Sequence, residues 1–115
     1  MFDHVTFRVS DLEASRRFYR TLLGRDPVGD EYLEWDDFGI AQADDEHPVT
    51  RHLHVGFAAR SREEVDAFWR TGVDAGYASD TETTPGERPE YHPGYVGAFV
   101  LDPDGNNIEA VNHNR

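Results

Sequence analysis

The sequence predicts an α+β fold made of two copies of one strand–helix–strands unit, and three observations carry that prediction. The chain repeats on itself at an offset of 50 residues; each copy passes from an alternating segment into one of helical period; and each helix is followed by short extended stretches divided by turn residues. Residues 4–21, HVTFRVSDLEASRRFYRT, align with residues 54–71, HVGFAARSREEVDAFWRT. Seven pairs are identical, among them His4 with His54, Phe7 with Phe57, Phe18 with Phe68 and Arg20 with Arg70, and Tyr19 stands opposite Trp69.

In the first copy, Val5, Phe7 and Val9 alternate as a strand with one buried face. Ser10 and Glu13 have the spacing of a capping box, which opens a helix by satisfying its first unpaired backbone donors. Ser15, Phe18, Tyr19 and Leu22 follow at helical spacing as the buried face, and Gly24 ends the helix. Extended stretches at 31–35 and 38–43 complete this half, with the boundary placed near Pro48, so that the first module covers about residues 1–48 and the second about 49–115. The second copy repeats the pattern through Leu53, Val55 and Phe57, a capping box at Ser61 and Glu64, and a helix face of Val65, Phe68, Trp69 and Val73 ending at Gly76. A Pro-, Gly- and Thr-rich stretch, TETTPGERPEYHPGY, reads as a loop over the sheet. Strands at 95–101 and 107–112 close the chain around the turn Asp102-Pro103-Asp104-Gly105. The first half is the shorter and looks trimmed.

A chain of 115 residues is of single-domain size, and its 37% hydrophobic content suffices for a core. The formal charge of −12 arises from 23 acidic residues against 11 arginines and no lysine, which disfavours nucleic acid and anionic membrane as partners. Such a charge suits a cationic ligand, and it also simply keeps a surface solvated. With no cysteine, any metal must be held by His, carboxylate or amide. The N-terminus carries no basic start followed by an apolar stretch, and the expected location is cytoplasmic.

Alternation directs Val5, Phe7 and Val9 to the helix side, so His4 and Thr6 point to the opposite, open face, and by the repeat so does His54. Ile108 and Ala110 pack inward, which leaves Glu109 on that same open face. A pseudo-twofold relation between the halves would bring the two first strands together. The expectation is a 2-His-1-carboxylate set of His4, His54 and Glu109 that holds a divalent ion and leaves positions for water and substrate. His52 would share the face as an alternative ligand or proton carrier. In the loop, Arg88, Tyr91, His92 and Tyr95 are candidates for a lid that orients an anion and supplies a phenol or imidazole. Glu109, His92 and Tyr91 are thus the candidate catalytic groups, and Arg88, Tyr95, His52 and Gln42 the candidate substrate contacts. His113 reads as a surface residue.

The stretches DHVTFRVSDLEASRRFYRTLLG, LHVGF and AFVLDPDGNNIEAV resemble the vicinal oxygen chelate superfamily, which groups glyoxalase I, extradiol dioxygenases, and fosfomycin- and bleomycin-resistance proteins. The resemblance covers nearly the whole chain. It implies two paired βαβββ modules forming a curved mixed sheet around a cleft, with metal ligands on first and last strands, and His4, His54 and Glu109 match three of those positions. The fourth falls near Gln42, where glyoxalase I-like members carry a carboxylate, so Gln42 is a possible fourth ligand. That departure and the short first module argue against glyoxalase I itself.

The resemblance implies a metal-dependent glyoxalase-like or dioxygenase-like enzyme that chelates a small oxygenated substrate on one divalent ion (Fe, Ni, Zn or Mn). The competing reading is a bleomycin-resistance-like protein that sequesters a cationic drug by stacking on Trp35, Trp69 or the loop tyrosines. The intact triad favours the enzyme. A homodimer is expected, as for many members of the superfamily.

Overall fold

The computed structural model describes residues 1–79 and 85–114; residues 81–84, the head of the expected loop, lie outside the described residues. In chain order the elements are β1 (Val5–Val9), α1 (Leu12–Leu23), β2 (Tyr32–Trp35), β3 (Phe38–Gln42), β4 (His54–Ala58), α2 (Arg62–Asp74), β5 (Gly86–Glu87), β6 (Val96–Leu101) and β7 (Asn107–Asn112). The α+β class expected from the sequence is what the chain adopts: among the described residues, two helices and two mixed sheets of three and four strands. No helix among them is long and apolar enough to cross a membrane.

The chain divides into two compact units, Met1–Arg51 with Pro103–Gly105, and His52–Asp102 with Asn106–Arg115. The first has the strand order β1-β3-β2 and the second β4-β7-β6-β5. In each, the first strand of the copy runs parallel to the last, β1 to β3 and β4 to β7, and the remaining pairs are antiparallel. The first unit is therefore βαββ and the second βαβββ. The additional strand β5 is two residues long, too short to leave a periodic signal in sequence.

In the first unit α1 packs on β3 and buries Ser15, Phe18, Tyr19 and Leu22, the face expected from spacing. Tyr19 is the centre of an aromatic cluster, with ring centroids 4.8 Å from Phe18 and 4.9 Å from Phe38, and Phe38 lies 5.1 Å from Phe7. In the second unit α2 packs on β6 and β7. Val65 and Phe68 are buried there with Val96, Ala98, Val100, Ile108 and Ala110. Gly72 takes the third buried helix position, and Trp69 and Val73 are only half covered.

The second helix opens on Ser61, whose Oγ accepts from Glu64 N at 3.1 Å, as the capping box requires, and Glu64 returns to the backbone N–H of Arg60. The first helix departs from its expected cap. Asp11 is the N-cap and accepts from Ala14 N at 3.1 Å. Ser10 donates instead, through N and Oγ, to the Asp104 carboxylate at 3.1 and 2.5 Å. Gly24 closes α1 in the left-handed conformation (φ 74°), and Gly76 does so one residue beyond the cap of α2 (φ 94°).

Entry into β4 also differs from simple alternation. His52 is left-handed (φ 59°), so the strand begins only at His54, and Leu53 is 38% exposed rather than core-facing. Asn106 organises this corner from within the second unit. Its Oδ1 accepts from Leu53 N at 3.0 Å, its N–H donates to Asp102 Oδ1 at 2.8 Å, and its Nδ2 donates to Asp102 Oδ2 at 3.2 Å. Asn106 is 2% exposed, so water cannot replace what it provides. Asn106→Ala is expected to cost about 2–3 kcal/mol, the penalty for stranding buried polar partners, read as a lower urea midpoint at unchanged m value.

Candidate functional site

The face of the second sheet away from α2 is set by strand alternation. His54, Gly56 and Ala58 share it on β4, Glu109 and Val111 on β7, and Gly97 and Phe99 on β6. The parallel register puts Gly56 beside Glu109, and the antiparallel register puts Phe99 on its other side. Residues flanking the strands continue the same face, Tyr95 before β6 and His113 after β7. Of these, His54, Gly56, Ala58, Tyr95, Glu109, Val111 and His113 line a cavity of about 410 Å³.

Glu109 is the centre of the site. Its side chain is only 8% exposed, yet it is a carboxylate. Burial of that kind is costly unless both oxygens are partnered. Oε1 lies 2.7 Å from His54 Nε2, and Oε2 accepts from Tyr95 Oη at 3.3 Å. Gly97 makes room for it. A Cβ at Gly97 would run into Oε2, whereas one at Gly56 would stand 4.0 Å from Oε1 and 3.5 Å from Val111. The Tyr95 phenol is pushed up to about 12, by burial first and then by the charge of Glu109, so it remains a neutral donor to the carboxylate. His54 is the open side of the site, with its side chain 59% exposed.

Around Tyr95 an aromatic group forms. Tyr91 contacts it at 4.9 Å between centroids, His92 at 5.5 Å and His113 at 5.2 Å, all in edge-on geometry. Tyr91 itself is 64% exposed and does not line the cavity, nor does His92. Arg88 closes the connection from β5 to β6 with its backbone: its N–H donates to Tyr95 O and its carbonyl accepts from Tyr91 N. His113 is exposed, as read from sequence, and it also lines the cavity. The alternation Glu109, Val111, His113 was the signal that could have found it.

The first unit shows what the repeat has kept and lost. Its β1–β3 register puts Gly39 beside Thr6, as Glu109 lies beside Gly56. The counterpart of Glu109 is therefore Gly39, not Gln42, and the space over Gly39 is taken by the Glu34 side chain of β2, 3.3 Å from where a Cβ would stand. Gln42 corresponds to Asn112, and the two amides act alike. Gln42 Nε2 donates to Val9 O and Ser10 O while its Oε1 accepts from Leu12 N; Asn112 Nδ2 donates to Ala59 O. The Gln42 amide is thus committed to holding the turn from β1 into α1. A separate cavity of about 320 Å³ in this unit is lined by Arg8, Tyr32 and Gln42 among others. Arg8 crosses it to donate to Tyr32 Oη at 3.1 Å.

His4, the counterpart of His54, precedes β1 with its side chain 59% exposed and its Nδ1 2.8 Å from Asp3 Oδ1. That hydrogen bond, and secondarily the charge of Asp3, raise its pKa. His52 lies on the left-handed bend before β4, where the alternation carrying His54 to the open face does not extend. Among the described residues no three His, Asp or Glu side chains already stand grouped to hold an ion. The pair brought together is His54 with Glu109.

The fold is a repeated strand–helix–strands domain, and residues 1–110 match the sequence profile of the Glyoxalase/Bleomycin resistance protein/Dioxygenase superfamily. The chain belongs to that superfamily. It is similar to a glyoxalase/bleomycin resistance protein from Albidiferax ferrireducens, with 35% identity over 96% of this chain and 98% of that one and a TM-score of 0.81. The fold also matches lactoylglutathione lyase from Agrobacterium tumefaciens (19% identity, 96% and 92% coverage, TM-score 0.73). A third match is a glyoxalase/bleomycin resistance protein from Catenulispora acidiphila (22%, 94% of each chain, TM-score 0.66). No curated protein matches the chain.

The two glycines make a contrasting pair of variants. Gly97→Ala is expected to displace the Glu109 carboxylate and destabilise by about 1–3 kcal/mol, whereas Gly56→Ala stays within about 0.5 kcal/mol of wild type. Thermal unfolding of both variants distinguishes them.

Proposed function

We propose that the protein is a metal-dependent enzyme of the glyoxalase-like or dioxygenase-like kind, both modules working as one domain, with His54, Glu109 and His4 as protein ligands to one divalent ion. The observation that carries this reading is the buried Glu109 carboxylate facing the His54 imidazole at 2.7 Å. Two donor atoms on one ion, each at about 2.0–2.2 Å, are separated by only a few tenths of an ångström more than this. The donor set also fits, an imidazole nitrogen and a carboxylate oxygen at the wall of a cavity with space for substrate. Without an ion His54 Nε2–H donates to Glu109, and coordination through Nε2 would move the imidazole proton to Nδ1.

His4 fits the third place for two reasons. It is the counterpart of His54 in the repeat, and its Nδ1 is engaged by Asp3, which leaves Nε2 as the ligating atom in the carboxylate–histidine pattern of metal sites. When bound, the ion would supply Lewis-acid stabilisation of negative charge on adjacent substrate oxygens. Tyr95 keeps Oε2 of Glu109 hydrogen-bonded and fixes the carboxylate's orientation. The missing side chain at Gly97 leaves room for that carboxylate. The side chains of Gln42 and His52 have no part in this reading. Assembly as a homodimer, expected from the resemblance, is part of the same proposal.

Titration calorimetry of chelator-treated protein with Zn²⁺, Ni²⁺, Mn²⁺ and Fe²⁺ tests the reading. Stoichiometric binding is expected in wild type, weakened about 10–100-fold in Asp3→Asn, the cost of an outer partner, and by more than that in His4→Ala, His54→Ala and Glu109→Gln. Absence of binding by the wild type with all four ions would overturn the metal assignment and leave drug sequestration as the function to test.

A further inference from the structure

His92 and His113 form a pair that the metal reading does not use. Their rings lie edge to edge and nearly parallel, with centroids 5.1 Å apart, an interplanar angle of 18° and His92 Nε2 2.8 Å from His113 Nδ1. The other His92 nitrogen, Nδ1, lies 2.9 Å from Pro93 O. A carbonyl oxygen can only accept, so Nδ1 of His92 carries the proton. In the neutral ring Nε2 is then a lone pair, and the proton between the two rings belongs to His113 Nδ1. His113 is left with its own lone pair on Nε2, and His113 lines the cavity that holds His54, Tyr95 and Glu109. The turn that sets this chain is held by the backbone, since Tyr95 N donates to His92 O and Gly94 is left-handed at φ 88°. Tyr95 contacts both rings edge-on.

We propose that His113 Nε2 is the proton acceptor of this cavity and that His92 is a positioning residue that fixes its tautomer. The inference rests on the proposed function for what it acts upon, a small oxygenated ligand bearing an acidic C–H or O–H. The proton passes to His113 Nε2, the electron pair of the broken bond stays on the ligand, and the imidazolium that forms remains hydrogen-bonded through Nδ1–H to His92. The arrangement follows the logic by which a hydrogen-bonded partner orients a catalytic imidazole, with a second, half-exposed imidazole in place of the carboxylate.

The test reads tautomers directly, on ¹⁵N-labelled, metal-free full chain at about pH 8, where free imidazoles are neutral. Long-range ¹H–¹⁵N correlation is expected to show both His92 and His113 as Nδ1–H forms with unprotonated Nε2. A His113 found as the Nε2–H form overturns the proposal. His92→Phe should shift the His113 tautomer ratio toward Nε2–H by at least about fivefold, the bias of one net hydrogen bond. His92→Gln, whose carbonyl oxygen can still accept, should restore it. An unchanged ratio in His92→Phe removes the positioning role, and the wild-type spectrum decides the His113 assignment even if that variant fails to fold. Acylation by diethyl pyrocarbonate, mapped by mass spectrometry, should be several-fold faster at His113 in wild type than in His92→Phe; equal rates count against the proposal.

One equivalent of Zn²⁺ separates this proposal from the metal reading. His54 is expected to shift while His113 Nε2 keeps its metal-free signal. A metal-bound shift at His113 would make it a ligand and overturn its role as base. Silence of every histidine would overturn the metal site and leave the tautomer assignment standing.

Discussion

A carboxylate buried on the middle strand of a sheet constrains everything near it in the second unit. Glu109 is nearly free of solvent, and a charge so placed persists only where each oxygen has a partner and the neighbouring backbone leaves space. The partners come from opposite directions, His54 on β4 and Tyr95 at the head of β6. The space comes from Gly97 on the flanking strand β6. This demand explains why a glycine sits in β6, where β propensity alone would place a branched or aromatic residue. Burial first, and then the charge of Glu109, hold Tyr95 as a neutral donor.

The two units began from the same pattern and were specialised differently on their open faces. In the first, the position beside Thr6 is Gly39, Arg8 stands where the second unit has Ala58, and the guanidinium reaches Tyr32. In the second, the carboxylate occupies the middle strand, with Gly56 beside it on β4 and Phe99 on β6. What both units retained is structural. An amide at the end of the last strand, Gln42 or Asn112, donates to the backbone leaving the first strand, Val9 or Ala59, and ties the strand end to the turn into the helix. The repeat thus preserved its fastening and changed its chemistry.

Tyr95 links the two clusters of the second unit. Its hydroxyl belongs to Glu109 and its ring to Tyr91, His92 and His113, so packing of the 88–95 connection and orientation of the carboxylate are one arrangement. The family to which the chain belongs spans several reaction types on one fold, and fold alone therefore does not select among them. Selection falls to the side chains on this face. Here they are an imidazole on the open side, a fixed carboxylate in the centre, and a phenol with two further imidazoles beyond.

Much of the fold was legible in the sequence because its signals are local. Offset repetition exposed two units, alternation put Phe7 and Val9 on the buried face of β1 and Ile108 and Ala110 on that of β7, and helical spacing picked out Ser15, Phe18, Tyr19 and Leu22 as the buried face of α1. Alternation likewise put Glu109 opposite Ile108 and Ala110. Tertiary structure decided the features that depend on what lies across a strand or around a bend. The β1–β3 register, not local resemblance, made Gly39 the counterpart of Glu109, because pairing is set by the sheet. Asp11 displaced Ser10 as the helix cap because Ser10 is held by Asp104, far along the chain. A left-handed residue at His52 ended the alternation that sequence would have extended, and a two-residue strand at β5 left no period to detect. His113 acquired its place by continuing β7 beyond its last pair, beside an imidazole whose proton a single carbonyl fixes. Residue types and their period were written in the chain; hydrogen-bond partners remote in sequence were set only when the strands met.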